Sequence, residues 1–364
     1  MMKACLAVCM LLVCLGQLHA EPKILCYYES WFAYPSHGAG AMQVKQFDNT
    51  LCTHRIYGYN GVSSSAEVLI SDPWLETSTT YHQLYDWGHD KGSDLSLMGI
   101  GGFNFALNLT YAAQNPTIFT TSLVNHLKTY ALDGAVIEWS SNHWKYEYMA
   151  DYVTLLKHLK EAFAPNKWVL GTVLAADQPG YDIKSVAEQV DLIIIQSFDY
   201  HGSWNTEVGH SSAIEDQKIS VNRWVENGAT KEKTIVTVPA YGHTWTLTDT
   251  TKTDPGSPAK GAGTKGPFTD SPGKLGVNEL MLRLKDDPTG WTRKEDGALG
   301  AAYYYKGDQW VSIEDTKTAE AKGAWVKSAG LGGIAVQAIN NDDFNGLAST
   351  TKFPLTQAIK KGYA

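Results

Sequence analysis

Short apolar runs alternate along this chain with longer segments in which apolar residues recur at helical spacing. Short runs rich in β-branched residues are typical of buried strands, whereas a repeat every three to four residues is typical of helices with one buried face. The apolar runs predict eight strands, which are Lys23–Tyr28, Thr53–Tyr59, Asp94–Ile100, Asp133–Trp139, Trp168–Ala175, Asp191–Phe198, Lys233–Tyr241 and Gly332–Ala338.

Helical patterning fills most segments between these strands. In Pro116–Ala131 a proline occupies the first turn, and Phe119, Leu123 and Leu127 recur at a spacing that places them on one face. Further helices are predicted over Trp144–Phe163, Ser212–Asn227 and Thr316–Ser328. Alternating strands and helices favour parallel pairing, and eight parallel strands close into a (β/α)8 TIM barrel of the α/β class. A doubly wound open sheet is the alternative, but no glycine-rich turn follows the first strand.

The segment over residues 248–308 breaks this alternation. It is rich in Gly, Pro, Lys and Thr, and it contains one helical and two strand-like stretches. These stretches are Val277–Lys285, Ala301–Tyr305 and Gln309–Ile313. A loop between a strand and a helix does not need so much polar chain. We therefore predict a small α+β insertion over residues 248–313, after the seventh strand of a barrel formed by residues 21–247 and 314–364. A disordered lid is the alternative.

The N-terminal residues 1–20 have the pattern of a secretory signal peptide. They contain one Lys, an apolar core too short to span a bilayer and a polar stretch that ends in Ala20. Cys26 and Cys52 remain after its removal, and they can pair in an oxidising compartment; two free buried thiols are the alternative. Asn108 begins an Asn-Leu-Thr sequon. These features predict a secreted, extracellular glycoprotein.

Charge and histidine placement narrow the classes of partner. The formal net charge is −8 at pH 7, with acidic and basic residues interspersed along the chain. This argues against nucleic acid and against membrane surfaces as partners. His201, His210 and His243 lack metal-ligand spacing with acidic residues, and neither a phosphate-binding loop nor a serine-hydrolase elbow is present. We therefore predict no metal and no cofactor.

One predicted strand carries an acidic residue inside an apolar run. The stretch Leu132–Ser140 reads Leu-Asp-Gly-Ala-Val-Ile-Glu-Trp-Ser. Alternate residues of a strand share a face, so Val136, Glu138 and Ser140 point one way and the residues between them point the other way. A buried carboxylate is costly unless it is paired. Glu138 therefore either has a partner or is a solvated residue near the end of an ordinary strand.

Six stretches, in order and spread over nearly the whole chain, resemble those of one enzyme family. They are Ile24–Trp31, Met98–Phe105, Asp133–Ser140, Phe198–Trp204, Val238–His243 and Leu331–Ala338. The family is glycoside hydrolase family 18, the chitinases, whose fourth strand reads Asp-Gly-x-Asp-x-Asp-x-Glu. The resemblance implies a TIM barrel and a disulfide between Cys26 and Cys52. It also implies that the insertion after the seventh strand forms one wall of a substrate groove.

The fourth strand departs from that signature at its acidic positions. Val136 stands where the family has its first inner Asp, Glu138 stands at the second, and Ser140 stands at the catalytic Glu. In the family, that Glu protonates the glycosidic oxygen, while the neighbouring Asp steadies the acetamido group that acts as nucleophile. A serine hydroxyl is too weak an acid for this role, and Glu138 lies roughly 6–7 Å deeper along the strand. We therefore predict an inactive homologue in which Glu138 is structural, paired with the Tyr27 hydroxyl or with Asp199 through water.

Other departures fall on positions that, by the resemblance, touch the central sugar. Gln196 stands for a Met, Phe198 for a Tyr, and His243 for an Arg, while Asp199 is retained. Gln337 replaces the Trp on whose face the central sugar stacks. Loss of that indole removes a large apolar platform, so the central subsite is predicted to hold sugar poorly.

Three functional hypotheses follow. The first is a secreted chitinase-like lectin that binds chitooligosaccharides or other N-acetylglucosamine-containing glycans without hydrolysis. Its predicted contacts are Tyr27, Trp31, Phe103, Asp199, Trp204 and Tyr241, and core or rim packing is the alternative for each aromatic residue. The second is an extracellular signalling or growth-factor-like protein whose barrel binds a protein partner; the residues at positions 243 and 337 favour it. The third is a hydrolase with Glu138 as a relocated acid.

Overall fold

The computed structural model describes residues 23–139, 144–177 and 180–364, in which the strands form two sheets. Residues 1–20, predicted to be a signal peptide, and Ser140 lie outside these ranges. The strands are β1 (Lys23–Glu29), β2 (His54–Val62), β3 (Val68–Leu69), β4 (Leu95–Gly101), β5 (Gly134–Glu138), β6 (Val169–Ala175), β7 (Leu192–Gln196), β8 (Thr234–Pro239), β9 (Tyr241–Leu247), β10 (Ala259–Ala262), β11 (Lys274–Gly276), β12 (Thr292–Asp296), β13 (Ala301–Lys306), β14 (Gln309–Ser312) and β15 (Gly333–Gln337).

Parallel strands close the first sheet into a barrel. Its order is β1, β15, β8, β7, β6, β5, β4 and β2, and β2 pairs back with β1. The (β/α)8 TIM barrel predicted from the alternation of strands and helices is therefore confirmed. The predicted alternation of faces on β5 is also present: Val136 packs with Leu25 and Ile56 inside the barrel, whereas Ile137 and Trp139 pack against the surrounding helices.

Helices surround the barrel and pack their apolar faces against it. In α5, the predicted core positions Phe119, Leu123 and Leu127 are all buried. The helices are α1 (Pro73–Glu76), α2 (Gln83–His89), α3 (Gly102–Phe105), α4 (Leu109–Gln114), α5 (Pro116–Thr129), α6 (Met149–Phe163), α7 (Ile183–Gln189), α8 (Ile214–Glu226), α9 (Val277–Asp286), α10 (Thr316–Ser328) and α11 (Pro354–Tyr363).

The second sheet and α9 form the insertion after the seventh barrel strand. Its antiparallel order is β10, β9, β14, β13 and β12, and β11 also pairs with β9. The sheet begins at Tyr241, after β8 ends at Pro239, so residues 241–247, which were predicted to belong to the barrel, form a strand of the insertion instead. The pattern is continuous because β9 is buried as well: Trp245 and Leu247 pack with Trp310 in a separate core.

The two cysteines and the sequon lie near the first two barrel strands. Cys26 and Cys52 form the disulfide that the family resemblance implies. Asn108 lies in a short 3-10 turn, Ala106–Asn108, rather than in an irregular loop, and its side-chain nitrogen donates to the Val62 carbonyl oxygen at 2.8 Å. Glycosylation at Asn108 stays a prediction. Within the three described ranges, no helix has both the length and the apolarity required to cross a membrane.

Candidate functional site

A cavity of about 400 Å³ opens at the carboxyl ends of the barrel strands. Its floor is formed by the last residues of four strands: Glu29 of β1, Glu138 of β5, Gln196 of β7 and Gln337 of β15. Parallel strands bring their carboxyl ends to one face of a TIM barrel, and side chains at that face are the ones available for ligands. The cavity is therefore the candidate site.

Loops and the insertion supply the walls of this cavity. Trp31 and Phe103 follow β1 and β4, while Thr269, Ser271 and Lys274 come from the insertion. Trp31 is 40% exposed and turns one face to Tyr59, with ring centroids 6.4 Å apart and planes inclined by 22°. Phe103 is 69% exposed. Both aromatic side chains therefore offer apolar surface on which a sugar ring can stack.

Four of the six predicted sugar contacts line this cavity, and two do not. Trp31, Phe103, Asp199 and Tyr241 line it. Tyr27 is a correction: it is 1% exposed and packs inside the barrel, one inward-facing position before Glu29 on β1. Trp204 lies outside the cavity lining but is 61% exposed, with its ring centroid 4.9 Å from that of His243 in an edge-on arrangement, so its contact with sugar stays a prediction. Strand alternation gives the face of a residue but not its depth in the barrel.

The departures from the family pattern occupy different depths. Gln196, Phe198 and Gln337 line the cavity. Val136 is fully buried in the barrel interior, and His243 is 1% exposed. The departures at positions 196, 198 and 337 can therefore touch a ligand directly, whereas those at 136 and 243 can act only through other residues.

A hydrogen-bonded network occupies the floor where the family has its stacking Trp. Gln337 Nε2 donates to Glu29 Oε1 at 3.3 Å and to the Tyr59 hydroxyl oxygen at 3.1 Å. The Tyr59 hydroxyl also lies close enough to the Glu138 carboxyl group for each to shift the pKa of the other. The predicted pairing with Tyr27 is absent, because the Tyr27 hydroxyl oxygen has no hydrogen-bond partner among the described residues, and Asp199 is bound by Tyr241 and His243 instead. The network joins Glu29 to Tyr59 through one amide, and Glu138 lies beside the phenol.

Both carboxyl groups of the network have raised pKa values. Burial raises the pKa of Glu138 to about 7, the hydrogen bond from Tyr59 opposes that rise, and the charge of Glu29 adds to it. Burial also raises the pKa of Glu29 to about 7, against the opposing effects of Lys274 and the hydrogen bond from Gln337. Low-dielectric surroundings disfavour the charged form of a carboxyl group. Protonation at these two groups is therefore sensitive to pH near neutrality.

Asp199 has a separate set of partners. Its backbone has a φ of 60°, in the left-handed region, which directs the carboxylate toward β9. Tyr241 Oη donates to Oδ1 and Oδ2 at 3.0 and 2.9 Å, and His243 Nε2 lies 2.8 Å from Oδ1. Burial, followed by the charge of Asp199, raises the pKa of Tyr241 well above its usual value. Asp199 is thus held as a structural acceptor between β7 and the insertion.

A glycine allows β4 to approach Glu138 closely. Gly101 has a φ of 104°, and a Cβ added there would lie 2.3 Å from the Glu138 carbonyl oxygen. A side chain at this position would be strained in conformation and would collide with backbone. The glycine therefore fixes the end of β4 against β5 and places Phe103 over the cavity.

We expect the free energy of unfolding of the Glu138→Gln variant to depend less on pH than that of the wild type. Because folding raises the Glu138 pKa, its neutral form contributes stability fully below about pH 4.5, and that contribution is lost as pH rises through about 7. Across this window the free energy of unfolding of the wild type should fall relative to that of the variant, by at most about 3 kcal/mol. Denaturant unfolding between these pH values measures the difference.

The matched control for this experiment is Glu161→Gln, which removes an exposed carboxylate on α6. Its pH dependence should parallel that of the wild type. Parallel curves for the wild type and Glu138→Gln would contradict the raised pKa assigned to Glu138.

The site shows three residues that the motif comparison did not identify. Glu29 and Tyr59 form the network, and Lys274 reaches the cavity from β11, where its ammonium lies 5.2 Å from the centroid of the Tyr241 ring. Glu29 could have been found from alternation, because it shares the inward face of β1 with Tyr27. Lys274 carries no local signal in a polar segment. In the described part of the chain, no group of three His, Cys, Asp or Glu residues is arranged to hold a metal ion.

Comparison with known proteins agrees with this architecture. The family model "Glycosyl hydrolases family 18" matches residues 23–342. The chitinase-like mite allergen Der p 18.0101 of Dermatophagoides pteronyssinus is 32% identical in an alignment of 354 residues, and the match covers 94% of this chain and 75% of the relative.

Two solved structures share the fold. The Group IV chitinase of Ostrinia furnacalis is 28% identical, with a TM-score of 0.87 over 94% of this chain and 100% of that chain. Human YKL-39, described as a pseudo-chitinase with retained chitooligosaccharide binding properties, is 26% identical, with a TM-score of 0.84 over 94% and 99% of the two chains. Together with the matched family model, these similarities show that the chain is a chitinase-like protein that belongs to glycosyl hydrolase family 18.

Proposed function

We propose that this chain is a secreted, catalytically inactive member of family 18 that binds chitooligosaccharides or other N-acetylglucosamine-containing glycans. One observation carries the proposal: the cavity keeps exposed aromatic walls, while position 140, which aligns with the catalytic acid, is a serine. The chain therefore keeps surface that can hold a sugar but lacks the group that would protonate its glycosidic oxygen. The apolar stretch at residues 1–20 supports secretion.

The residues next to Ser140 on the strand also support inactivity. Val136 is fully buried and packs against the Gly171 backbone, where an added Cβ would meet Val136 Cγ2 at 3.1 Å. Position 136 therefore has no carboxyl group that could interact with an acidic group at the end of the strand. Glu138 is 7% exposed and lies beside Tyr59, so its carboxyl group is part of the floor. We assign it a structural role.

The walls support sugar binding. Trp31 and Phe103 line the cavity from the loops after β1 and β4, and Tyr241 lines it together with Thr269, Ser271 and Lys274 of the insertion. Sugar rings present apolar faces that pack on aromatic side chains, and their hydroxyl groups need polar partners such as Ser271 and Asn341, which also line the cavity. Human YKL-39, a pseudo-chitinase on a similar fold, is described as combining the same two properties.

We expect Trp31→Ala to weaken binding of chitohexaose about five- to tenfold, because the variant loses one stacking platform. Isothermal titration calorimetry of the purified protein with chitohexaose measures the dissociation constant. Tyr85→Ala is the matched control: Tyr85 is an exposed aromatic residue on α2, it does not line the cavity, and its loss should leave the affinity unchanged.

A contrary result would favour the second hypothesis. If chitohexaose neither binds nor raises the melting temperature at millimolar concentration, the barrel does not use this cavity for sugar. An extracellular protein partner would then be the better account of the fold. Equal weakening by Trp31→Ala and Tyr85→Ala would also contradict stacking in the cavity.

A further inference from the structure

The charged groups that line the cavity are mostly acidic. Among the described residues, the charged lining consists of Glu29, Glu138 and Asp199 on the acidic side and of Lys274 on the basic side. Asp199 already accepts hydrogen bonds from Tyr241 and lies against His243, and Lys274 extends over the Tyr241 ring. The carboxyl groups of Glu29 and Glu138 therefore make the floor acidic.

These two carboxyl groups retain capacity to accept hydrogen bonds. Within the described residues, Glu29 accepts one side-chain hydrogen bond, from Gln337, and the Glu138 carboxyl group lies beside the Tyr59 hydroxyl. An ionised carboxylate has about four acceptor sites. Each group can therefore receive further donors from a ligand in the cavity.

A buried hydroxyl group below the floor is also without a partner. Tyr27 is 1% exposed and does not line the cavity, and its hydroxyl oxygen has no hydrogen-bond partner in the described part of the chain. Its ring lies 6.2 Å from that of Tyr59, and the charge of Glu138 contributes to the raised pKa of Tyr27. An unpartnered buried polar group is costly unless a ligand or water satisfies it. The layer below the floor thus also has unused hydrogen-bonding capacity.

An acetamido group fits this floor poorly. When the two carboxyl groups are ionised, the acetamido carbonyl oxygen faces acceptors only, and its nitrogen offers one donor. A cationic ligand itself favours this ionised form, because an opposite charge nearby lowers the pKa of a carboxyl group. A protonated primary amine offers three donors and a positive charge, so it forms charge-assisted hydrogen bonds with carboxylates. The resemblance to family 18 places the acetamido group of the central sugar at this end of the barrel, but here the indole platform is a glutamine.

We propose that the cavity prefers an oligosaccharide that carries a free, protonated amine, a glucosamine unit of partially deacetylated chitin, with the ammonium group between Glu29 and Glu138. This inference rests on the proposed sugar-binding function and names the chemical class of its ligand. Trp31 and Phe103 pack against the pyranose rings, and the acidic floor selects the amine.

Calorimetric titration of the full mature chain with chitosan tetrasaccharide and with N-acetylated chitotetraose, at one pH near neutrality and about 0.15 M salt, tests the proposal. We expect the wild type to bind the chitosan tetramer at least about tenfold more tightly. In Glu29→Gln and in Glu138→Gln the ratio of the two affinities should fall toward one, because each variant removes one carboxylate. Thermal unfolding of both variants verifies that they fold.

The control is Glu161→Gln on α6, which lowers the net negative charge by the same amount outside the cavity. This variant should keep the wild-type ratio. Equal or tighter binding of the acetylated tetramer by the wild type would overturn the proposed preference while leaving the sugar-binding function intact. If both floor variants still prefer the chitosan tetramer, the preference comes from general surface charge and the proposed role of the floor is wrong. Failure of both sugars to bind would overturn the proposed function itself.

Discussion

No turnover of a fluorogenic chitobioside is expected from the purified wild type or from the Val136→Asp, Glu138→Asp, Ser140→Glu variant, which restores the acidic pattern of the family on this strand. A positioned general acid typically contributes a factor of about 10² to 10⁴ in rate, and the wild type has a serine at its position. The variant regains the carboxyl group without the surroundings that would hold a substrate against it. Release of the fluorophore measures turnover by the wild type and by the triple variant, and an active chitinase is the positive control.

Two features of the structure argue against rescue by these three changes. Val136 is fully buried in the mainly apolar interior of the barrel, so burial would disfavour the ionised form of an aspartate there. Gln337 remains bonded to Glu29 and Tyr59, and it offers no aromatic face for the central sugar. Binding energy that is not directed to the transition state does not raise the rate.

Specific outcomes would contradict this account. Strong turnover by the triple variant would mean that Gln196, Phe198 and Gln337 do not limit activity. Turnover by the wild type that disappears in Glu138→Gln would identify Glu138 as a relocated acid. A further variant that adds Gln337→Trp to the triple change separates the effect of the missing acid on turnover from the effect of the missing indole platform.

The Lys322→Met variant is expected to lose about 3–5 kcal/mol of the free energy of unfolding, because it leaves Glu314 buried without a cation. The Lys322 side chain on α10 is 0% exposed, and its ammonium group donates to Glu314 and to the Ser212 carbonyl oxygen. Thr318 Oγ1 also donates to Glu314, at 2.6 Å. Glu314 follows β14, so this ion pair fixes the return of the insertion to the barrel. Guanidinium unfolding measures the loss.

Two further variants make this prediction specific. In Glu314→Gln, Lys322→Met both charges are absent, and most of the lost stability should return, because the cost comes from an unpaired buried charge. Lys361→Met removes the cation of an exposed pair between Lys361 on α11 and Glu320 on α10, and it should change stability little. Equal losses in the single and double variants would show that packing of the lysine stem is responsible.

Much of the barrel could be predicted from local patterns. The helix over Thr316–Ser328 was predicted with the bounds that the structure has, because Asp315 caps it through its side chain and the apolar repeat fills it. The break between β8 and β9 could not be predicted. Both strands are buried, so the apolar run shows no change at Ala240, where the chain passes from one sheet to the other.

The candidate site was predictable only in part, for a different reason. Trp31, Phe103, Asp199 and Tyr241 were found through motifs that lie near strand ends. Tyr27 was placed on the correct face but at the wrong depth. The depth of an inward-facing residue depends on strand tilt and stagger around the closed barrel, which the sequence of one strand does not contain.

The sequence by itself determined the class of fold, the order of the barrel strands along the chain and the serine at position 140, because each depends on local periodicity or on the identity of one residue. Only the tertiary structure decided what replaces the missing platform. Gln337 contacts Glu29 and Tyr59 across separations of 308 and 278 residues, and these contacts exist only because the barrel closes and brings three strand ends together. The acidic floor is therefore a property of the closed barrel.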